Sequence, residues 1–311
     1  MPHPTPESNL LSRRLASAAV LIVGMISLIR VDFWLGTPDV WGRPGIILAI
    51  LSAIVAALCG IEFGRMWQGQ NRQSTITMAS AAIAMALVAA APVLWRDYPL
   101  DCPIGKFGWS IAGIFAAMLL SFAAELKTFQ GHSNQPGEVA GRIGRTMFMV
   151  SYLAMLFGVV ASLRLLEQDN SLGLISIICL IATVKTSDAA AYFAGKSFGT
   201  VKIAPKISPG KTLQGTLAAP LGGYFAAAIV IYIVSPTVFG MTVDRPWWWV
   251  ILYGVLVTFA GVLGDLAESL LKRDADCKDS GSMLPGLGGI LDVLDSLVFA
   301  APVSYLLWVI H

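Results

Sequence analysis

Residues 247–273 read WWWVILYGVLVTFAGVLGDLAESLLKR. From Trp247 to Gly264 there is no charged side chain, and then the pattern changes. Asp265, Glu268, Ser269 and Lys272 follow at spacings 0, +3, +4 and +7, which puts all four on one face of a helix. The apolar part is close to the ~20 residues that cross a ~30 Å hydrocarbon core. The stretch therefore reads as a membrane helix whose inner end continues as a polar stripe.

The rest of the chain agrees. Of 311 residues, 56% are hydrophobic and 13% charged, about half the charge of an ordinary soluble domain. This composition excludes a typical soluble enzyme, a disordered chain and a nucleic-acid binder that relies on surface charge. Nine apolar runs stand out, near 15–31, 45–64, 76–95, 109–126, 146–163, 172–194, 213–234, 247–264 and 290–310. With the N-terminus inside and the spans alternating, 15 of the 21 Lys and Arg fall on the inner side and six, Arg164 among them, on the outer side. That bias predicts an all-α polytopic membrane protein of nine spans, N-terminus inside and C-terminus outside. Trp34, Trp41, Trp95, Trp109 and the Trp247–Trp249 cluster are expected at the outer interface. The first ten residues read as a disordered stretch within a cytosolic tail, 1–14. Residues 15–170 read as a bland helical scaffold giving lipid access, and 171–311 as the catalytic region.

The cysteines (Cys59, Cys102, Cys179, Cys277) lack metal-site spacing and read as packing residues. The histidines (His3, His132, His311) are scattered, so any chemistry rests on carboxylates, lysines, hydroxyls and backbone. Glu62 and Glu125, at inner ends of spans beside Arg65 and Lys127, read as local interfacial ion pairs.

A second acidic face opens the ninth run, where Asp292, Asp295 and Ser296 are spaced 0, +3, +4. Between the two faces lies a loop with Lys278, Asp279, Ser280, Ser282 and Pro285-Gly286-Leu287-Gly288-Gly289. Four acids facing lipid would cost on the order of 10 kcal/mol. They either snorkel to water at the interface or converge on a polar cavity and a hard divalent cation, which favours clustered carboxylates. A third segment holds Lys185, Asp188, Tyr192, Gly195, Lys196 and Gly199, then Pro205, Lys206, Ser208, Pro209, Gly210, Lys211 and Thr212. Its Ser-Pro-Gly-Lys-Thr turn is expected to open the seventh span, with hydroxyls, a lysine and free helix N-terminal amides for a phosphate. It is not a Walker A loop, because Pro205 stands where the first glycine belongs. Acids and phosphate-binding turns on the inner side suggest phosphoryl or nucleotidyl transfer at a membrane surface.

Ser269-x2-Lys272-Arg273-x4-Lys278-Asp279-x5-Pro285-Gly286-x-Gly288-Gly289-x2-Asp292-x2-Asp295 resembles the C-terminal signature of phosphatidate cytidylyltransferases (CDP-diacylglycerol synthases). The block from Asp188 to Gly215 resembles that family's preceding motif. The likeness covers roughly residues 180–300. It implies phospholipid biosynthesis: CTP and phosphatidate give CDP-diacylglycerol and pyrophosphate, with Mg²⁺ and room for a monovalent cation. It also implies a homodimer in a bacterial inner membrane whose site opens to the cytoplasm. Carried over, Asp265 and Asp292 are metal ligands and catalytic together with Lys272 and Ser269. Ser208, Lys211, Thr212, Asp188, Arg273, Lys278, Asp279 and Asp295 bind substrate. The family usually has His at Leu287, Arg at Val293 and commonly Glu at Gln214. The alternatives are a CTP-dependent kinase or nucleotidyltransferase acting on another lipid or polyprenol phosphate, and an ion-coupled transporter using its intramembrane acids. The acidic motif of CDP-alcohol phosphotransferases is not found.

Overall fold

The computed structural model describes residues 6–37, 42, 44–68, 72–95, 98–99, 101–129, 136–286 and 288–310. In chain order these form α1 (Pro6–Leu35), α2 (Ile46–Gln68), α3 (Arg72–Ala89), α4 (Ala91–Leu94), α5 (Gly105–Thr128), α6 (Glu138–Arg164) and α7 (Asn170–Phe198). A hairpin follows, β1 (Lys202–Ala204) and β2 (Ser208–Thr212), then α8 (Leu213–Ile229), α9 (Ser235–Val238), α10 (Trp247–Asp274) and α11 (Ile290–Val309). A π-helical turn, Val230–Val234, joins α8 to α9. Each expected apolar run falls on a helix. Among the described residues, seven helices are long and apolar enough to cross a membrane. The apolar part of α3, Thr75–Ala89, is shorter.

Three expectations are corrected here. Helix α1 begins at Pro6, so residues 6–10 are helical rather than disordered tail. Ser208–Thr212 leads directly into α8 as expected, but as a strand rather than a turn, paired antiparallel with β1 in the register Lys202↔Thr212 and Ala204↔Ser208. The described fold is thus helical apart from this hairpin. Finally, Trp249 is buried against Tyr253 and Trp308, whereas Trp34, Trp95, Trp247 and Trp248 are exposed as an interfacial belt requires. His3, Trp41, His132, Leu287 and His311 lie outside the described residues.

The helix boundaries have local causes. Asp169 caps α7 by accepting from the backbone N–H of Ser171 and Leu172, both at 2.8 Å. Thr212 Oγ1 caps α8 by accepting from Gly215 N at 3.2 Å. Small residues then let helices approach closely where no hydrophobic force drives them together in lipid. A Cβ on Gly254 of α10 would lie 2.7 Å from the Tyr224 backbone of α8. Cys59 and Cys179 are fully buried in the resulting core.

One end of the bundle is locked by an ion pair that the charge count had placed in an outer loop. Arg164 and Asp32 have no exposed side-chain surface, and Arg164 Nε donates to Asp32 Oδ2 at 2.7 Å. Asp32 also accepts from the backbone N–H of Gly45 and Ile47, at 3.1 Å each, while Arg164 donates to the Asn170 carbonyl and side chain. The pair ties the ends of α1 and α6 to the starts of α2 and α7. Removing one partner strands a buried charge, at a cost of about 3–5 kcal/mol. Asp32→Asn or Arg164→Met alone should therefore sharply lower the thermal unfolding midpoint in detergent, and the Asp32→Leu/Arg164→Met pair should recover part of the loss. Unchanged midpoints in both single variants would contradict this assignment.

Candidate active site

The end of the bundle opposite that lock carries the polar chemistry. It is built from the C-terminal halves of α7 and α10, the first turns of α8 and α11, and the hairpin. Gly264 sets the α10–α11 crossing: a Cβ there would meet the Asp295 carbonyl at 2.5 Å and Ser296 Cα at 3.2 Å. The next residue, Asp265, therefore stands beside Asp295 and Ser296. A cavity of about 560 Å³ opens at this crossing. Among the sequence candidates, Asp188, Ser208, Lys211, Thr212, Asp265, Asp292 and Asp295 line it.

Asp292 is the most heavily bonded of these. Its carboxylate accepts from Gly289 N at 2.6 Å, Ser280 N at 3.0 Å and Ser280 Oγ at 3.0 Å. This is the capping role of an acid in the first turn of a helix, here α11. Lys272 Nζ lies 2.7 Å from Asp292 Oδ1 and also pairs with Glu268, which is fully buried. Lys272 thus stands behind the cavity wall and bridges two acids. The tight turn before α11 depends on Gly288, whose φ of 94° suits glycine and whose Cβ would collide with the Asp292 carboxylate.

Glu62 of α2 completes this cap. It is 1% exposed, and it accepts from Ile290 N at 2.9 Å and Leu291 N at 3.0 Å, with Ser280 Oγ at 3.3 Å. The expected local pair with Arg65 is therefore incorrect: Glu62 holds free helix N-terminal amides of α11. Glu125 is ion-paired as expected in kind, but with Arg142 at 2.7 Å rather than with Lys127. The only sequence signal for Glu62 was an acid closing an otherwise apolar run, and its partners lie 228 and 229 residues away.

On the other wall, Lys211 Nζ is 2.6 Å from Asp265 Oδ2 and 3.3 Å from the Val262 carbonyl. Ser269 Oγ donates to Asp265 Oδ1 at 3.4 Å, so Ser269 steadies that acid rather than lining the cavity. Arg273 is a strut between chain segments, donating at 3.3 Å to the Ile207 and Cys277 carbonyls. Lys278 and Asp279 are exposed on the loop and do not reach the cavity wall. Gln214 accepts from the backbone N–H of Thr200 and Val201 and donates to Thr200 Oγ1 at 2.6 Å, fastening the hairpin to α8. Where Arg was expected at Val293, Lys185 of α7 reaches in and donates to the Val293 carbonyl at 2.8 Å. Lys185 and Lys196, to which the sequence assigns no role within the third polar segment, line the cavity too, as does Lys202. Cys277, outside the spans, has its thiol pKa raised by burial, which disfavours the nucleophilic thiolate.

The lining thus carries four lysines (185, 196, 202, 211) and four aspartates (188, 265, 292, 295), and their formal charges cancel. Four carboxylates on one cavity are the hard oxygen donors that a Mg²⁺-sized cation prefers. Among the described residues, no three His, Cys, Asp or Glu side chains converge as a preformed metal cluster. The donor chemistry fits a divalent cation, with Lys211 and Lys272 compensating Asp265 and Asp292.

A family model described as the cytidylyltransferase family matches residues 14–311. The chain is 39% identical over 167 residues to the phosphatidate cytidylyltransferase of Bacillus subtilis, covering 53% of this chain and 58% of the relative. It is 38% identical over 160 residues to the uncharacterized protein YnbB of Escherichia coli, covering 51% and 49%. It is 41% identical over 149 residues to the phosphatidate cytidylyltransferase of Brucella suis, covering 47% and 51%. The aligned stretch spans about half the length of these curated relatives.

Glu62→Ala would leave buried N–H groups unpaired, at about 1–3 kcal/mol for each such group. Amide hydrogen exchange at Ile290 and Leu291 should accelerate at least tenfold, while amides in the middle of α5 keep their protection. Unaltered exchange at Ile290 and Leu291 would show that Glu62 does not hold the cap.

Proposed function

This chain belongs to the cytidylyltransferase family, and from that premise we propose that it transfers CMP from CTP to the phosphate of phosphatidate, giving CDP-diacylglycerol and pyrophosphate. The observation that carries the reading is a cavity that gathers Asp265 of α10, Asp292 and Asp295 of α11, and the hairpin lysines Lys202 and Lys211 at one end of a hydrophobic bundle. A membrane-bound acceptor explains why such a site is built on apolar helices: acyl chains stay in the bilayer while the head group meets a water-soluble nucleotide.

In the proposed reaction a phosphatidate oxygen attacks the α-phosphorus of CTP. The bond from that phosphorus to the bridging oxygen of the β-phosphate breaks, and pyrophosphate departs with the electron pair. The attacking oxygen is already anionic near neutral pH, so no strong general base is required. The barrier is then dominated by bringing polyanions together and by charge growing on the leaving group. The lining lysines, Lys211 among them, meet that charge. Because the lining has no net formal charge, two polyanionic substrates require added positive charge. Asp265 and Asp292 are the residues that would hold Mg²⁺, which would supply that charge when bound. Lys272 orients Asp292, and Ser269 orients Asp265.

The same reading includes nine spans with the N-terminus inside and the C-terminus outside, supported by the 15-to-6 distribution of Lys and Arg. It sets the site at the cytoplasmic face of a bacterial inner membrane. It includes assembly as a homodimer.

Protein purified in detergent, given CTP, phosphatidate and Mg²⁺, should release pyrophosphate and form CDP-lipid, and EDTA should abolish both. Asp265→Asn and Asp292→Asn should each reduce turnover by about 10²-fold or more. Turnover insensitive to EDTA and to both substitutions would defeat the proposal. Release of CDP in place of pyrophosphate would identify a lipid kinase.

A further inference from the structure

The cavity has two poles. Lys196 and Lys202 sit near the hairpin, at the rim of the bundle, where a soluble nucleotide arrives. Lys185 sits at the other pole, in the middle of α7. Counting along the helix, it lies 11 residues from Lys196, about 16 Å at 1.5 Å per residue. It lies 15 residues from the first residue of α7, Asn170, or about 22 Å. In a hydrocarbon layer of ~30 Å, an ammonium at that height is several Å below the polar surface.

A lysine in such a place needs a reason, since a charge inside a span is costly and such residues pair or face a polar pathway. Pairing is weak here. Lys185 Nζ is 4.0 Å from Asp188 Oδ2, at the limit of an ion pair, and its one short contact is to a neutral group, the Val293 carbonyl at 2.8 Å. Lys211, by comparison, has an aspartate at 2.6 Å. The Lys185 side chain remains 41% exposed and forms part of the cavity wall, together with Asp295 and Ser296. It is therefore a cation held in position by a backbone carbonyl, with much of its charge still available to a ligand. The anion that reaches such depth is one carried by hydrocarbon tails. A nucleoside triphosphate, hydrated and without an anchor, meets the rim lysines first.

We propose that Lys185 receives the phosphate of the membrane-borne substrate and so determines selection of the lipid acceptor rather than of the nucleotide. The assignment rests on the nucleotidyl-transfer reading for its kinetic arm alone. In nanodiscs with varied mole fractions of phosphatidate, Lys185→Met should raise the KM for phosphatidate at least tenfold. The KM for CTP should stay within about twofold, and Lys185→Arg should restore most of the lipid affinity. A second arm needs no turnover: titration with dihexanoyl phosphatidate, followed by intrinsic tryptophan fluorescence, should show at least tenfold weaker binding for Lys185→Met and for Lys185→Gln. Dihexanoyl phosphatidylcholine, whose phosphate carries a covering choline, serves as the control and should bind equally to all variants. Equal phosphatidate affinity of wild type and both neutral variants would overturn the assignment, as would a parallel rise in both KM values. If the wild type turns over no lipid phosphate yet binds dihexanoyl phosphatidate in a Lys185-dependent way, the nucleotidyl-transfer reading fails and the Lys185 assignment stands.

Discussion

The architecture of the site depends on how the first turn of α11 is held. Three donors of the loop, Gly289 N, Ser280 N and Ser280 Oγ, and Lys272 Nζ of α10 converge on the Asp292 carboxylate. Glu62 takes the next two amides, Ile290 N and Leu291 N. An uncapped helix start buried at a cavity wall would leave donors without partners, each an energetic penalty in a medium with little water. Two carboxylates remove that penalty, and their charge is favoured by the positive end of the helix. The position of Asp292 is thereby coupled to the shape of the loop, and through Glu62 to α2 in the first half of the chain.

The same logic runs through the wall. No acid of the α10 face is left to lipid: Glu268 is matched by Lys272 and Asp265 by Lys211. Glycine at position 264 permits the close α10–α11 approach that sets Asp265 beside Asp295. At the far end, the buried Asp32–Arg164 pair holds four helix ends together. The site end carries an open cavity whose lining is balanced in charge, while the opposite end is held by the fully buried Asp32–Arg164 pair.

Much of this was legible in the sequence, for identifiable reasons. A bilayer demands long uncharged runs, so the helices could be read from hydropathy. The acids at 265, 268, 292 and 295 were legible because their spacing matches the helical period and their cost in lipid requires compensation. What escaped notice depends on partners distant in the chain. Glu62 looked like an interfacial charge because the amides it accepts lie 228 and 229 residues away. Arg164 looked like an outer-loop residue because Asp32 lies 132 residues before it. The strand Ser208–Thr212 was hidden by its composition, since proline and glycine suggest a turn and no local signal announces pairing with Lys202–Ala204. Lys272, Ser269 and Arg273 carry the expected chemistry types, yet they act by holding acids and backbone in place behind the cavity surface.

The proposed reaction joins a nucleotide's α-phosphorus to a lipid phosphate in this cavity. Two labels followed in parallel through the purified protein in phosphatidate nanodiscs test it. Phosphorus label from the α-position of CTP should enter the lipid fraction while label from the γ-position leaves in pyrophosphate. Label from the γ-position in the lipid, or from neither position, would contradict it.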